Sequence, residues 1–291
     1  MTRLEPELLL AAQTELGECP VWDGGRNTLF FMDIIGRKLH AYEWASGKDR
    51  ALPLPALGGA LALAGDGRLI AGLQSGIHMV DPDSGAFELV VDPEPDKPDH
   101  RLNEGKCDPQ GRFWVGSIST LGRFPTGCLY RLEKDGRVTR VLDEISVPNT
   151  LAWQPDGEHM LFADSVRKQV WRFRYDGETG GISDREVFID VGGYRGIPDG
   201  IAVDAEGGLW IAEFGGGAVH HYSADGKLIG SVRLPATQVT SCAFAGPDLD
   251  RLVIITTKRL LDEEARKSQP HSGDIFVVEP GVRGLPPHLF G

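Results

Sequence analysis

No apolar run in this 291-residue chain reaches the roughly 18 residues that a membrane-spanning helix requires. The opening stretch MTRLEPELLLAAQTELGE carries Glu5 and Glu7 beside an apolar run too short for a secretory leader. There is no Asn-x-Ser/Thr sequon. The four cysteines (Cys19, Cys107, Cys128, Cys242) form no CxxC pair and no compact spacing, so each reads as a buried free thiol. A reducing cytoplasm is the expected location. Positive charge is also short, with 30 Lys and Arg against 42 Asp and Glu, for a formal net charge of -12. No basic stripe offsets that average, which argues against a nucleic-acid partner. Helix-length patterns are missing too. Only DEEARKS (262–268) resembles a helical turn or two. A parallel α/β fold needs far more helix between its strands.

What the chain has in quantity is glycine, 38 residues, and a phrase that recurs six times. It reads PVWDGGRNTLFFMD at 20–33, ALAGDGRLIAGL at 62–73 and CDPQGRFWVGS at 107–117. It returns as AWQPDGEHMLFAD at 152–164, VDAEGGLWIAE at 203–213 and FAGPDLDRLVIIT at 244–256. Each copy is an apolar strand end, an Asp/Gly/Pro turn and a second apolar run, which is a hairpin signal. A second phrase with alternating apolar and polar positions follows, as in GCLYRLEKDG and GGAVHHYSADG. Four short strands in roughly 45 residues describe one blade of a β-propeller. The chain therefore reads as an all-β six-bladed β-propeller, one domain over residues 1–291. The segment ELLLAAQ (7–13) is expected to supply the outer strand of the last blade and close the ring.

Inner strands line the channel of a propeller, so residues just ahead of each copy should meet near the axis. Those positions are Glu18, Gly59, Asn103, Asn149, Asp199 and Thr240. Two are carboxylates, and two are asparagines in a chain with only three (Asn27, Asn103, Asn149). Two neighbouring carboxylates repel each other unless a cation lies between them. Glu18, Asn149 and Asp199 offer oxygen donors only, which suits a hard divalent ion such as Ca²⁺, Mg²⁺ or Mn²⁺. Zn²⁺ and Fe²⁺ stay open, although no His or Cys donor argues for them. Strand alternation turns Cys19 away from the channel.

Four stretches resemble the SMP-30/gluconolactonase/LRE-like family of six-bladed propellers. They are LGECPVW with Glu18, RLNEGKCDPQGRFWVGS with Arg101 and Asn103, PNTLAWQPDG with Asn149, and PDGIAVDAEGGLWIA with Asp199. The resemblance implies hydrolysis of a sugar lactone to its aldonic acid with one divalent metal held by Glu18, Asn149 and Asp199. It implies that Arg101 and Asn103 contact lactone hydroxyls and that Asp199 is the general base. The chain departs from the family pattern at three points. Thr150 follows the metal asparagine where Gly is usual, Glu104 replaces the common Asp, and Thr120 and Leu121 fall where several animal members carry an acid.

Catalysis is expected from Asp199, with Glu18 able to share the role of base. Substrate contacts are expected from Arg101, Asn103, Thr120 and His100, the last because it directly precedes Arg101. Residues 121–127, with Arg123 and Phe124, are expected to cover the site. His78, His159, His220 and His221 read as blade-surface residues, and Asp33, Asp164 and Glu213 as turn or blade-edge residues. The expected partner is a small sugar lactone, with no nucleic acid and no membrane, and the expected assembly is a monomer or weak homo-oligomer. The rival readings are a metal- and sugar-binding propeller without catalysis, or a hydrolase of phosphotriesters or aryl esters on the same scaffold.

Overall fold

The computed structural model describes residues 4–291. The described residues form six four-stranded antiparallel sheets. Their inner strands are Gly17–Asp23, Gly58–Leu63, His100–Cys107, Pro148–Trp153, Ile197–Val203 and Val239–Ala245. Each inner strand touches those of the two neighbouring blades, and the contacts continue from the sixth blade back to the first. This is the six-bladed all-β propeller that the repeats predict. Strand Glu7–Leu10 pairs with Ile275–Val278 as the outer strand of blade six, so the ring is closed by hydrogen bonds between the two ends of the chain. The helical turn Glu263–Ser268 is present, capped by Asp262, which accepts from the Ala265 N–H at 2.8 Å. Among the described residues no helix is long and apolar enough to cross a membrane.

The recurring phrase has a physical cause. In blades three and five it reads Asp-x-x-Gly-x-Phe/Leu-Trp. Asp108 accepts from the Gln110 and Arg112 N–H groups (3.0 and 2.9 Å) and from the Trp114 indole (2.9 Å). Asp204 does the same with Glu206, Gly208 and Trp210 (3.0, 2.7 and 3.0 Å). One carboxylate thus closes the turn and anchors the largest side chain of the next strand. Between blades the sheets interlock through apolar side chains, as where Val21, Phe30, Met32 and Leu39 meet Leu61 and Leu69.

All six inner strands carry a register shift at the axial position. The shifts fall at Glu18/Val21, Gly58/Ala60, Asn103/Gly105, Asn149/Ala152, Pro198/Ile201 and Val239/Ser241. In three of them a non-glycine residue adopts a left-handed backbone: Cys19 (φ 57°), Glu104 (φ 48°) and Thr150 (φ 53°). Such bulges bend the strand and redirect side chains.

The two ends of the channel differ. The axial positions lie at the start of the inner strands. Beyond them the strands line an apolar cavity of about 150 Å³, with Trp22, Leu61, Trp153 and Phe244 in its wall. The C-terminal segment closes that end. Its main chain bonds to blade five through Arg283 O and Ala205 N (2.8 Å) and to blade two through Phe290 N and Leu63 O (2.9 Å).

Replacing Trp210 by Ala should lower unfolding free energy by about 3–5 kcal/mol, the usual cost of truncating a large buried aromatic. Trp210 is fully buried and bonded to Asp204. Urea unfolding followed by circular dichroism would measure the change, and a loss below about 1 kcal/mol would contradict this account of the turn.

Candidate metal centre and active site

Three blades share a device that the other three lack. The residues just ahead of Glu18, Asn149 and Asp199 are Gly17, Pro148 and Pro198, and they pair across the sheet with Asp33, Asp164 and Glu213. The equivalent partners in blades two, three and six are Leu73, Ser117 and Thr256. Each buried acid accepts main-chain N–H groups from the segment entering the inner strand. Asp33 takes those of Glu15 (3.1 Å) and Leu16 (3.0 Å), Asp164 those of Ser146 and Val147 (both 3.0 Å), and Glu213 that of Gly196 (2.8 Å). These acids do end the second strands as expected. Their work is to pin the chain two or three residues ahead of each predicted cation ligand.

The axial side chains influence one another strongly. Burial, and then the charge of Glu104, push the Glu18 carboxyl up to about 8, although Arg101 and the Cys19 N–H pull the other way. Burial and the charges of Glu18 and Glu104 hold Asp199 well above the usual carboxylate range. Glu104 is raised by burial as well, against the pull of Lys106, 3.8 Å away, and of the Leu151 N–H. Glu104 is thus a third carboxylate of the cluster, which the sequence reading noted only as a departure. Arg101 is desolvated among these acids. Gly59 leaves room for it, since a Cβ there would lie 2.3 Å from Nη1 of Arg101.

Cys19 packs against the apolar cluster between blades one and two, the side away from the channel that alternation predicts. Burial, and then the charges of Glu18 and Glu104, raise the pKa of its thiol and keep it protonated.

Asn103 and Asn149 belong to one chain of hydrogen bonds. Arg101 Nη1 donates to Asn103 Oδ1 (2.7 Å) and to Leu102 O (3.0 Å). Asn103 Nδ2 donates to Pro148 O (2.8 Å) and Asn149 Oδ1 (3.1 Å), so both its amide protons are committed within the protein. Asn149 Nδ2 donates to Ser165 Oγ (2.9 Å), which donates to Pro198 O (2.6 Å). Ser165, buried at the start of the turn Ser165–Arg167, carried no signal of its own in the sequence.

The side-chain hydrogen bonds of His100 and Thr120 go to neighbouring loops. His100 is buried, its Nδ1 2.9 Å from Glu94 and its Nε2 3.0 Å from Thr126 Oγ1. Glu94 also accepts from Tyr130 (2.9 Å) and Lys97 (2.8 Å). Thr120 is exposed and donates to Asp99 O (2.8 Å). Both therefore tie residues 92–99 to residues 120–126. Leu121, Arg123 and Phe124 of that loop are exposed.

Among the described residues, no group of three or more His, Cys, Asp and Glu side chains is disposed to hold a metal ion. A cation site here therefore needs the Asn149 oxygen. Two carboxylates and one amide oxygen form a hard donor set, and it fits a divalent cation of the calcium or manganese kind. Burial first, and the neighbouring acids second, raise the pKa of Glu18 and of Asp199, so a cation bound there would replace protons.

Residues 16–258 match the SMP-30/gluconolactonase/LRE-like region. The chain belongs to that family. The family match takes in Glu18, Arg101, Asn103, Asn149 and Asp199. Among its members, regucalcin of Xenopus laevis is 32% identical, covering 100% of this chain and 99% of its own. A Bacillus subtilis protein provisionally named as the sugar lactone lactonase YvrE is 33% identical, covering 98% of each chain. The crystal structure of regucalcin from Agrobacterium tumefaciens, there called a calcium-binding protein, superposes with a TM-score of 0.95 at 32% identity, covering 100% of both chains.

Cation uptake should depend on pH in a definite direction. Glu18 must lose its proton to serve as a ligand, so affinity is full above about pH 8 and falls as pH drops through that value. Each displaced proton weakens binding about tenfold per pH unit. Calorimetric Mn²⁺ titrations at pH 6, 7 and 8, in buffers of different ionisation enthalpy, should show proton release. Affinity that stays flat from pH 6 to 8 would contradict the expectation.

Proposed function

We propose that the protein hydrolyses a cyclic ester, opening a sugar lactone to its aldonic acid, with one divalent cation required. The observation that carries this reading is the gathering of half-buried Glu18 with buried Glu104 and Asp199 around Arg101, in a channel that also holds Asn149. At neutral pH such acids need protons or a cation among them. Two relatives support the reading by their names, one as a sugar lactone lactonase and one as a calcium-binding regucalcin.

Glu18, Asn149 and Asp199 would hold the cation, which when bound supplies positive charge to polarise a carbonyl and acidify a water. Asp199 takes a proton from the attacking water and returns it to the ring oxygen as the ester C–O bond breaks. Its burial beside Glu18 and Glu104 opposes the loss of basicity that a bound cation would bring to Asp199. Glu18 shares that field and serves as the second acid. Arg101 has Nη1 anchored to Asn103 and Leu102, and its other N–H groups hold the carbonyl oxygen or ring hydroxyls of the substrate. Asn103, with both amide protons committed, acts through Arg101 and Asn149. His100 and Thr120 act by holding the loops at this end.

Five- and six-membered aldonolactones, supplied with cation, should release acid faster than they hydrolyse spontaneously, and EDTA should abolish the difference. Asp199→Asn should lower kcat a hundredfold or more with the fold retained, as expected for loss of a general base. Arg101→Ala should lower kcat/KM about tenfold to a hundredfold, the range for a hydrogen bond to a charged group. A pH-stat assay measures all three. A cation-loaded protein that binds these lactones but never exceeds the spontaneous rate overturns the enzymatic reading in favour of binding alone.

A further inference from the structure

Of the three side chains proposed to hold the cation, only Asn149 has two unlike ends. A carboxylate binds equally well through either oxygen. An amide turned over would present an NH₂ group, which cannot serve as a ligand. Something must fix which end of Asn149 faces the cluster.

The hydrogen bonds around it do so without ambiguity. A guanidinium only donates and a peptide carbonyl only accepts. Arg101 Nη1 therefore fixes the facing atom of Asn103 as Oδ1, 2.7 Å away. Asn103 must then turn its Nδ2 to Asn149 Oδ1. At the other end Ser165 Oγ commits its single proton to Pro198 O at 2.6 Å, so toward Asn149 it can only accept. The atom it faces, 2.9 Å away, must be Nδ2. Reversing any one link would set donor against donor. The Oδ1 of Asn149 is thereby held on the side of Arg101, where the axial carboxylates lie.

The equivalent positions in the other two ligand blades support a dedicated role. Ser165 follows Asp164, as Ile34 follows Asp33 and Phe214 follows Glu213. Ser165 and Ile34 make the same main-chain bond, to Val147 O and Leu16 O at 2.9 and 2.8 Å. Among the three ligand blades the hydroxyl occurs only where the ligand is an amide; blade six, which provides no ligand, has Thr257 there, and its hydroxyl donates instead to Glu15 O at 2.6 Å. The two blades that provide carboxylates have apolar residues there.

We infer that Ser165 is a positioning residue, whose hydroxyl orients the Asn149 amide and so sets the affinity for the cation. This rests on the cation reading given above. The test is a double-mutant cycle read by Mn²⁺ affinity, through calorimetry or the electron paramagnetic resonance of free Mn²⁺. Ser165→Ala should weaken binding about tenfold to a hundredfold, the range for groups that orient metal ligands. Asn149→Asp replaces the amide with a symmetric carboxylate, so adding Ser165→Ala to it should weaken binding less than threefold. A merely structural role predicts equal losses in both backgrounds. A second readout needs no metal. The Asn149 side-chain amide protons should give one sharp pair of resonances in the wild type and a broadened or doubled set in Ser165→Ala. Equal losses in both backgrounds, or unchanged affinity and resonances in Ser165→Ala, overturn the inference and leave the cation reading standing. A wild-type protein that binds no divalent cation overturns both.

Discussion

A regular β-strand sends its side chains alternately to the two faces of its sheet. In this ring both faces of each sheet pack against neighbouring blades, as the interblade clusters demonstrate. A perfectly regular inner strand would therefore bury every side chain between blades and aim none at the axis. The extra residue at the start of each inner strand removes that obstacle. Six bulges in equivalent places release one position per blade from alternation, and the charged cluster exists because of them. The backbone cost is visible at Cys19, Glu104 and Thr150, which sit where glycine would be unstrained.

The electrostatics follow from that placement. Once freed from the blade faces, Glu18, Glu104 and Asp199 share a poorly hydrated space with Arg101. Repulsion of this kind would spread the segments apart if they were held only by their own strands. The segments of Glu18 and Asp199 are held from outside by Asp33 and Glu213, and Asp164 grips the chain ahead of Asn149 in the same way. Asp33 and Asp164 each accept two main-chain N–H groups from the entering segment, and Glu213 takes that of Gly196 with its other oxygen 3.0 Å from His220 Nε2. The scaffold thus uses one set of carboxylates to hold strained another set, which fits a centre pre-organised for a cation rather than one assembled by it.

Much of this was legible in the sequence because it repeats. The Asp-x-x-Gly turns, the six hairpins and the closing strand are local patterns copied along the chain, and counting back from each copy finds the axial positions. Other features depend on partners that no local pattern reveals. His100 looks free beside Arg101, yet its ring is engaged by Glu94 and by Thr126, 26 residues later. The bond from the Asn103 amide to Asn149, 46 residues on, leaves no local trace in the sequence. Ser165 is one of many serines, and only its place between Asn149 and Pro198 distinguishes it.

Thr150 brings these threads together. It stands where family members often carry glycine, and the structure puts it at φ 53°. A β-branched residue pays about 1–2 kcal/mol in that region, so glycine is the less strained choice there. Threonine brings something glycine cannot. Its hydroxyl donates to Asp199 O at 2.5 Å and joins blade four to blade five at the ligand positions. Ser165 makes the parallel link one residue earlier, to Pro198 O. Two consecutive carbonyls of blade five are therefore held by hydroxyls of blade four, on either side of the bond that leads into Asp199. Strain at one ligand's neighbour is offset by fixing the backbone of the next, and the departure from the family pattern becomes a second brace on the same pair of ligands.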